Sequence, residues 1–397
     1  MLVRRVAVIL PRYGASLGGG AETLTRELFL KLIEYGIITY GEVWTTCALD
    51  HRTWKNELPV GTTIEDGLKV SRFSVDERDL EPFVQAEMKL SNAEELSLVE
   101  QVRWMENGVN SKALYQHIEQ NHAEFDVLLF APYLFPTSFW GPLIAPEKSV
   151  LIPCLHDEPY AYNSIFGALF SKVRGVFFNA SAEQKLAESI YYNAELEKKS
   201  GVVGLGFEIK GRQSQSVEKF KLTPKNYLLF SGRKERGKNL PLLLDYYEKL
   251  EPTVKRNLPL VLIGSGQIDF RDKLPEFVVD LGFVSEEEKF ELMAGALALC
   301  QPSTNESFSI VLLEAFLQQT PALVHADCAV TSGHVLTANG GLCFKDSSEF
   351  AASVKLLLES PQVALKLGCQ ARSYVEQNFN WDCVVSRAKE TLERVGL

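Results

Sequence analysis

The sequence predicts an α/β protein built from two Rossmann-like halves. The first sign is the start of the chain. Arg5–Leu10 is a continuous apolar run of the kind buried on both faces of a parallel sheet, and a glycine-rich loop and a segment of helical spacing follow it. The second is a restart: after a polar stretch at 210–225, read as an exposed linker, the strand–loop–helix rhythm begins again at 227–231. The third is length, since 397 residues hold two or three domains at roughly 150 residues each. The boundary is placed so that the domains run 1–205 and 206–379.

In order, the loop 11–20 holds Gly14, Gly18, Gly19 and Gly20, and a helix opens at Ala21. Glycines let backbone N–H groups approach an anion, and a helix N-terminus favours one. A flexible loop accounts for the same residues. The spacing gives neither a Walker loop nor G-x-G-x-x-G. A strand is expected at 41–46, then a polar stretch from 50 to about 121, in which 80–110 is largely helical in composition. Buried strands are expected at 126–132 and 149–157, the second ending in His156 and Asp157, where open α/β sheets place ligand groups. A lone histidine is as often structural. A further strand at 175–181 ends in Ser181, a candidate cap for the helix 182–192.

The second half gives strands at 227–231, 260–263 and up to 285, and helices at 240–250 and from 286. The loop 231–239 carries Arg233, Lys234, Arg236 and Lys238. Arg233 and Lys238 suit a diphosphate, one by a planar fork and the other as a point charge, while Lys234 and Arg236 are read as solvated. After an apolar strand at 297–300, the stretch 302–315 opens a helix, with Ser303, Thr304 and Asn305 as candidate caps. Its amides suit an anion. Its carboxylates, Glu306 and Glu314, suit hydroxyls, because an ionised carboxylate only accepts. Alone, that pair also fits the solvated face of an ordinary helix. Together, phosphate-seeking amides and hydroxyl-seeking carboxylates describe a sugar nucleotide.

Composition is ordinary for a globular chain, with 46% hydrophobic and 23% charged residues. No apolar run reaches the roughly 20 residues of a membrane span, and the run after Arg4 and Arg5 is too short for a signal peptide. Seven scattered cysteines without C-x-x-C fit reduced thiols in a cytosol. Net charge is −10; residues 1–205 hold 19 basic and 27 acidic residues, which argues against nucleic acid as a partner. His325, Cys328, His334 and Cys343 have metal-ligating side chains, but their spacing matches no closed Cys/His site.

The Glu306–Glu314 pair resembles the E-x7-E motif of the retaining family 4 glycosyltransferases of GT-B fold, and three further motifs follow in family order. Gly19-Gly20-Ala21-Glu22 resembles the GGxE loop over the donor diphosphate, His156 a donor-sugar histidine, and Arg233 with Lys238 the Gly-Arg…Lys motif. The resemblance covers nearly the whole chain. It implies two Rossmann-like domains facing across a cleft, an acceptor-side domain at 1–205 with a helix at 380–397 crossing back to it, and a nucleotide-sugar domain at 206–379. It implies His156, Arg233, Lys238 and Glu306 as catalytic residues. Donor binding is assigned to Gly19, Gly20, Gly264, Phe283, Val284, Ser307, Phe308, Ser309 and Glu314. The expected reaction moves a hexose from a nucleotide sugar, in the first place UDP-glucose or a related UDP-sugar, to a saccharide or lipid-linked acceptor. No metal or other cofactor is expected, since no Asp-x-Asp occurs. The expected location is cytoplasmic, with peripheral membrane association compatible. The rivals are a non-catalytic nucleotide-sugar binder and a GT-B phosphorylase. The stretch after 318 departs from the commoner Gly-x-Pro-Val pattern, which leaves the donor sugar open.

Overall fold

The computed structural model describes residues 5–14, 19–211 and 217–397. The chain divides into two units, Met1–Gly206 with Trp381–Leu397, and Phe207–Asn380.

In the first unit β1 (Arg5–Leu10) pairs in parallel with β2 (Tyr40–Thr46) on one side and β5 (Val127–Phe130) on the other. Beyond β2 lie β4 (Leu68–Phe73) and the antiparallel edge strand β3 (Gly61–Glu65). Beyond β5 lie β6 (Ser149–Leu151), β7 (Gly175–Phe178) and β8 (Ser200–Val202), giving the order β3-β4-β2-β1-β5-β6-β7-β8. The central strands are buried along nearly their whole length, as their unbroken apolar runs require. The polar stretch 50–121 corrects the sequence reading, because it contains β3 and β4. Asp66 and Gly67, both at positive φ (52° and 76°), form the two-residue turn between them, an Asp-Gly hairpin signal. β3 is mostly exposed, so it lacks the apolar run by which its neighbours are recognised. The helices Leu80–Ser91 and Leu98–Glu106 then pack on each other, Ser97 opening the second with a capping box. The strand expected at 149–157 is only three residues long, so His156 stands five residues beyond it. Ser181 is the first helical residue of Ser181–Ile190, not its cap.

The helix Trp381–Arg394 belongs to this unit. Arg387 donates to the Val203 carbonyl at 2.8 Å and Arg394 to that of Ser200 at 2.5 Å, and Lys31 lies over the Trp381 ring.

The second unit is an all-parallel sheet, β11-β10-β9-β12-β13-β14, made by β9 (Leu228–Ser231), β10 (Leu260–Ile263), β11 (Val278–Gly282), β12 (Ala298–Gln301), β13 (Ala322–His325) and β14 (Gly341–Phe344). Counted within the unit this is 3-2-1-4-5-6, the doubly wound order whose direction reverses between β9 and β12. Ligands of such sheets bind outside the carboxyl ends of the strands at that reversal. Residues 212–216 of the linker expected at 210–225 lie outside the described residues, and the part after them is anchored, since Val217 and Leu222 are buried. Among the described residues, no helix is long and apolar enough to cross a membrane.

Candidate active site

In the second unit the loops after β9 and β12 flank the reversal. β9 ends at Ser231, and its loop first runs against the end of β10. Gly264 sits at φ +124°, and a Cβ there would lie 2.1 Å from the Gly232 carbonyl oxygen, so only glycine permits this approach. The Lys234 amide donates to Ser265 O at 2.8 Å. The loop then crosses to the other side: Asn239, at φ +54°, donates from Nδ2 to Pro302 O at 3.0 Å and starts the helix Leu240–Glu248. Lys238 precedes it and donates from Nζ to Glu306 Oε1 at 2.7 Å. Gln301, the last residue of β12, donates from Nε2 to the same oxygen at 3.0 Å and to Ser309 Oγ at 3.3 Å. The Glu306 side chain is 9% exposed, and among the described residues Oε2 has no hydrogen bond.

The helix after this loop, Ile310–Leu317, carries Glu314 one turn in. Lys289, on the neighbouring helix Glu286–Gly295, donates to Glu314 Oε1 at 2.6 Å. Burial pushes the Glu314 carboxyl above the usual carboxylate range, against the opposing pull of Lys289. Glu314 Oε2 is buried with no partner among the described residues. Such an orphaned acceptor is costly unless a donor arrives.

The caps expected at Ser303, Thr304 and Asn305 do not cap. The N-cap is Ser309, in the left-handed region (φ 65°, ψ 70°) with no side-chain capping bond, and Ser303 is buried against Lys238 O. Lys234 is corrected too: it is 4% exposed, and its Nζ bonds both oxygens of Asp280 at 2.8 and 2.9 Å. Asp280 lies on β11, 46 residues away, so no local pattern announces the pair. Arg233 is exposed and pairs with Glu235 at 3.1 Å, and Arg236 is exposed over the Phe270 ring. Phe283 is 85% exposed, while Val284 and Ser307 are half-buried. The Phe308 ring is buried against His334 and Phe379, which leaves only its backbone for a ligand.

In the first unit, Gly19 is the N-cap of the helix Gly20–Glu34, and the Arg12 guanidinium, itself buried, pairs with Glu22 in its first turn. Ala15–Gly18, and with them one of the four glycines of the loop, lie outside the described residues. His156 is held through its chain neighbours. The Leu155 amide donates to Glu183 Oε1 at 2.6 Å, and the Asn179 amide to Glu183 Oε2 at 2.5 Å. Glu183 is fully buried, and burial lifts its carboxyl to about 8. The His156 ring is one-third exposed, its Nδ1 3.8 Å from Glu158 Oε1, which also accepts from Tyr133 Oη at 3.2 Å.

Residues 212–374 match the glycosyl transferases group 1 family. Over 99% of each chain, the protein superposes on sucrose-phosphate synthase of Thermosynechococcus elongatus with a TM-score of 0.72 at 15% identity. Over 98% of this chain and 99% of the other, it superposes on Anabaena HepE in complex with UDP-glucose at 0.67 and 15%. The family match lies wholly within the second unit, and the chain has the GT-B fold. Mouse alpha-1,3/1,6-mannosyltransferase ALG2 is 25% identical over 181 residues, 40% of this chain and 43% of that protein. The chain thus aligns with less than half the length of that relative.

Within this GT-B chain, the structure brings Lys238 and Glu306 together and buries Glu314 on the helix that follows; Arg233 and Phe283 stay out on the surface. The sequence reading missed Gln301, Lys289 and Glu183. Gln301 had a signal, a polar residue closing an apolar strand, whereas Lys289 and Glu183 become visible only through partners 25 and 28 residues away. His325 Nδ1 accepts from the Asp327 amide and His334 Nδ1 meets Tyr374 Oη at 2.9 Å. Among the described residues no three His, Cys, Asp or Glu side chains group to hold a metal.

Proposed function

We propose that the chain is a retaining glycosyltransferase that moves a hexose from a nucleotide sugar, in the first place a UDP-sugar, to a saccharide or lipid-linked saccharide, with no divalent metal. The observation that supports this best is the meeting of Lys238 and Glu306 at the β9/β12 reversal, with the unpartnered Glu314 Oε2 close by in sequence. A departing nucleoside diphosphate gains charge at the transition state. Lys238 and the N-terminus of the helix Ile310–Leu317 supply fixed positive charge for it, and Arg233, exposed on the same loop as Lys238, adds a further cation. Glu314 Oε2 takes ribose hydroxyls and Glu306 Oε2 takes hydroxyls of the donor sugar. His156 serves the sugar side. No described side chain is placed as an obvious nucleophile, so the acceptor hydroxyl attacks from the face the diphosphate leaves. The bond from the anomeric carbon to the phosphate oxygen breaks, the new glycosidic bond forms, and the departing phosphate takes the acceptor proton.

The HepE complex favours glucose as the hexose, whereas the name of ALG2 favours mannose. The deciding experiment offers nucleotide donors of both sugars to the chain and follows donor turnover and product anomeric configuration by proton NMR. Retained configuration, undiminished in excess EDTA, is the expected result. Inversion, or activity abolished by EDTA and restored by Mg²⁺, sinks the corresponding part. Binding without any donor turnover leaves a non-catalytic binder, and turnover that needs inorganic phosphate a phosphorylase.

A further inference from the structure

The first unit holds a cavity of about 660 Å³ between the end of the helix Leu80–Ser91, the turn leading into Leu98–Glu106, and the segment 157–164. Asp157 and Glu158 line it and directly follow His156 in the chain. Glu94 and Glu95 also line it. The walls are preformed. Gln101 donates from Nε2 to Leu96 O at 2.8 Å, and its Oε1 accepts from Ser164 Oγ at 3.1 Å and the Ile165 amide at 3.2 Å. Behind them Glu87 accepts from Trp104 Nε1 at 2.8 Å and from Tyr160 Oη at 2.6 Å, and the two rings stack.

One lining side chain is unsatisfied. Asn163 is 4% exposed, and its Nδ2 is buried with no hydrogen-bond acceptor among the described residues. A buried amide donor is nearly always paired, so the orphan marks where an oxygen of a bound molecule belongs. Charge narrows the class of that molecule. Four carboxylates line the cavity, and among the described residues no lysine, arginine or histidine does. A phosphate or uronate would be repelled. An ammonium group would satisfy the carboxylates but could not accept from Asn163, so it fits only on a molecule that also carries a hydroxyl. A hydroxyl donates to a carboxylate and accepts from an amide at once. Tyr162 and Leu98, both well exposed, add apolar surface of the kind that packs on the C–H face of a pyranose.

We propose that this cavity is the acceptor subsite and that the acceptor it takes is a saccharide without acidic groups. The assignment of an acceptor rests on the glycosyltransferase reading above; the saccharide chemistry rests on the cavity alone. The test measures binding of four probes by saturation-transfer NMR and calorimetry: methyl α-D-glucopyranoside, methyl α-D-mannopyranoside, glucosamine and glucose 6-phosphate. Saturable binding of at least one of the three sugars without phosphate, tighter than glucose 6-phosphate, is expected. Asn163→Ala should weaken it about tenfold, the loss of one hydrogen bond to a buried donor. Glu95→Lys, at an exposed position that leaves folding undisturbed, should weaken it as well. Preference for glucose 6-phosphate, no saturable binding of any of the other three sugars, or binding by both variants equal to that of the unmodified chain overturns the proposal. Hydrolysis of nucleotide sugar by the unmodified chain without acceptor is measured separately. If that is absent while the sugars bind as described, the saccharide site stands and the glycosyltransferase reading falls.

Discussion

The two sheets are wound alike about their first strands, yet they hold their candidate ligand groups by different physics. In the second unit the groups are fastened to each other by charge: Lys238 to Glu306, Lys289 to Glu314, Lys234 to Asp280. In the first unit His156 is fastened through its backbone, because the adjacent Leu155 amide is tied to a carboxyl buried in the core. Ion pairs can exchange one partner for a charged ligand. A backbone anchor fixes a position and exchanges nothing. Under the proposed function, the pairs of the second unit open to a diphosphate and a ribose, while the first unit presents one side chain at a set place.

The sharpest way to break this comparison is Lys238→Ala. If the lysine steadies charge on the leaving diphosphate, turnover should fall on the order of 10²–10³-fold, the range for one preorganised charge-stabilising group, and UDP affinity should fall with it. Steady-state kinetics and calorimetry check both, and an unchanged turnover would remove Lys238 from the site. Next in size is Glu314→Ala. Losing a charged acceptor costs about 1.5–3 kcal/mol per hydrogen bond, so UDP should bind roughly 10–100-fold more weakly. Unaltered affinity by calorimetry would mean that Glu314 Oε2 meets no ribose. His156→Ala should act the other way round, with turnover down about tenfold and UDP affinity within about twofold. Should this variant lose UDP as badly as Lys238→Ala does, the division of labour between the units is wrong.

The smallest effect concerns the support under the candidate loop. His334 packs its ring against Phe308 and Phe379, and burial depresses its imidazolium to about 4. The unfolded chain takes up a proton near pH 6.5 and the folded one does not, so stability is lost as pH falls from 6.5 towards 4. Between pH 7 and 5.5 this amounts to about 1 kcal/mol. Urea unfolding of the unmodified chain and of His334→Gln at both pH values should show the slope flattened in the variant. Equal slopes would mean the ring is charged or solvated in the folded state.

What could be read from the sequence follows the same division. Strands buried on both faces, such as Arg5–Leu10 and Leu260–Ile263, declare themselves as apolar runs, so the doubly wound pattern was visible. The edge strand β3 was not, since exposure leaves its residues polar and only the Asp66-Gly67 turn betrays it. Helix starts misled where a nearby serine or asparagine had other work: Ser303 faces Lys238 O, and the backbone reaches its helical turn only at Ser309. Among the site groups, residue type and loop position nominated Lys238, Glu306 and Glu314. Which of the charged groups meet could not be nominated. Glu306 and Lys238 are 68 residues apart, Lys234 and Asp280 are 46 apart, and composition carries no record of such closures. Lys234 and Lys238 look alike in the sequence, four residues apart on one loop, and only the fold decides which of them is locked away.

The helix Trp381–Arg394 has a consequence for how the chain is made. Its arginines close the edge of the first sheet by bonds spanning 184 and 194 residues, and Arg174 reaches Val395 across 221. On the ribosome, the rest of the first unit emerges long before this helix exists, and the whole of Phe207–Asn380 must follow before it does. The usual order, in which the N-terminal domain finishes first, is thereby reversed. The unit begun first is completed last, and until then it leaves bare the surface that Val384, Val385, Ala388 and Leu392 later bury. That interval is when a nascent chain of this design most needs a chaperone, and it lengthens with every residue added between 207 and 380.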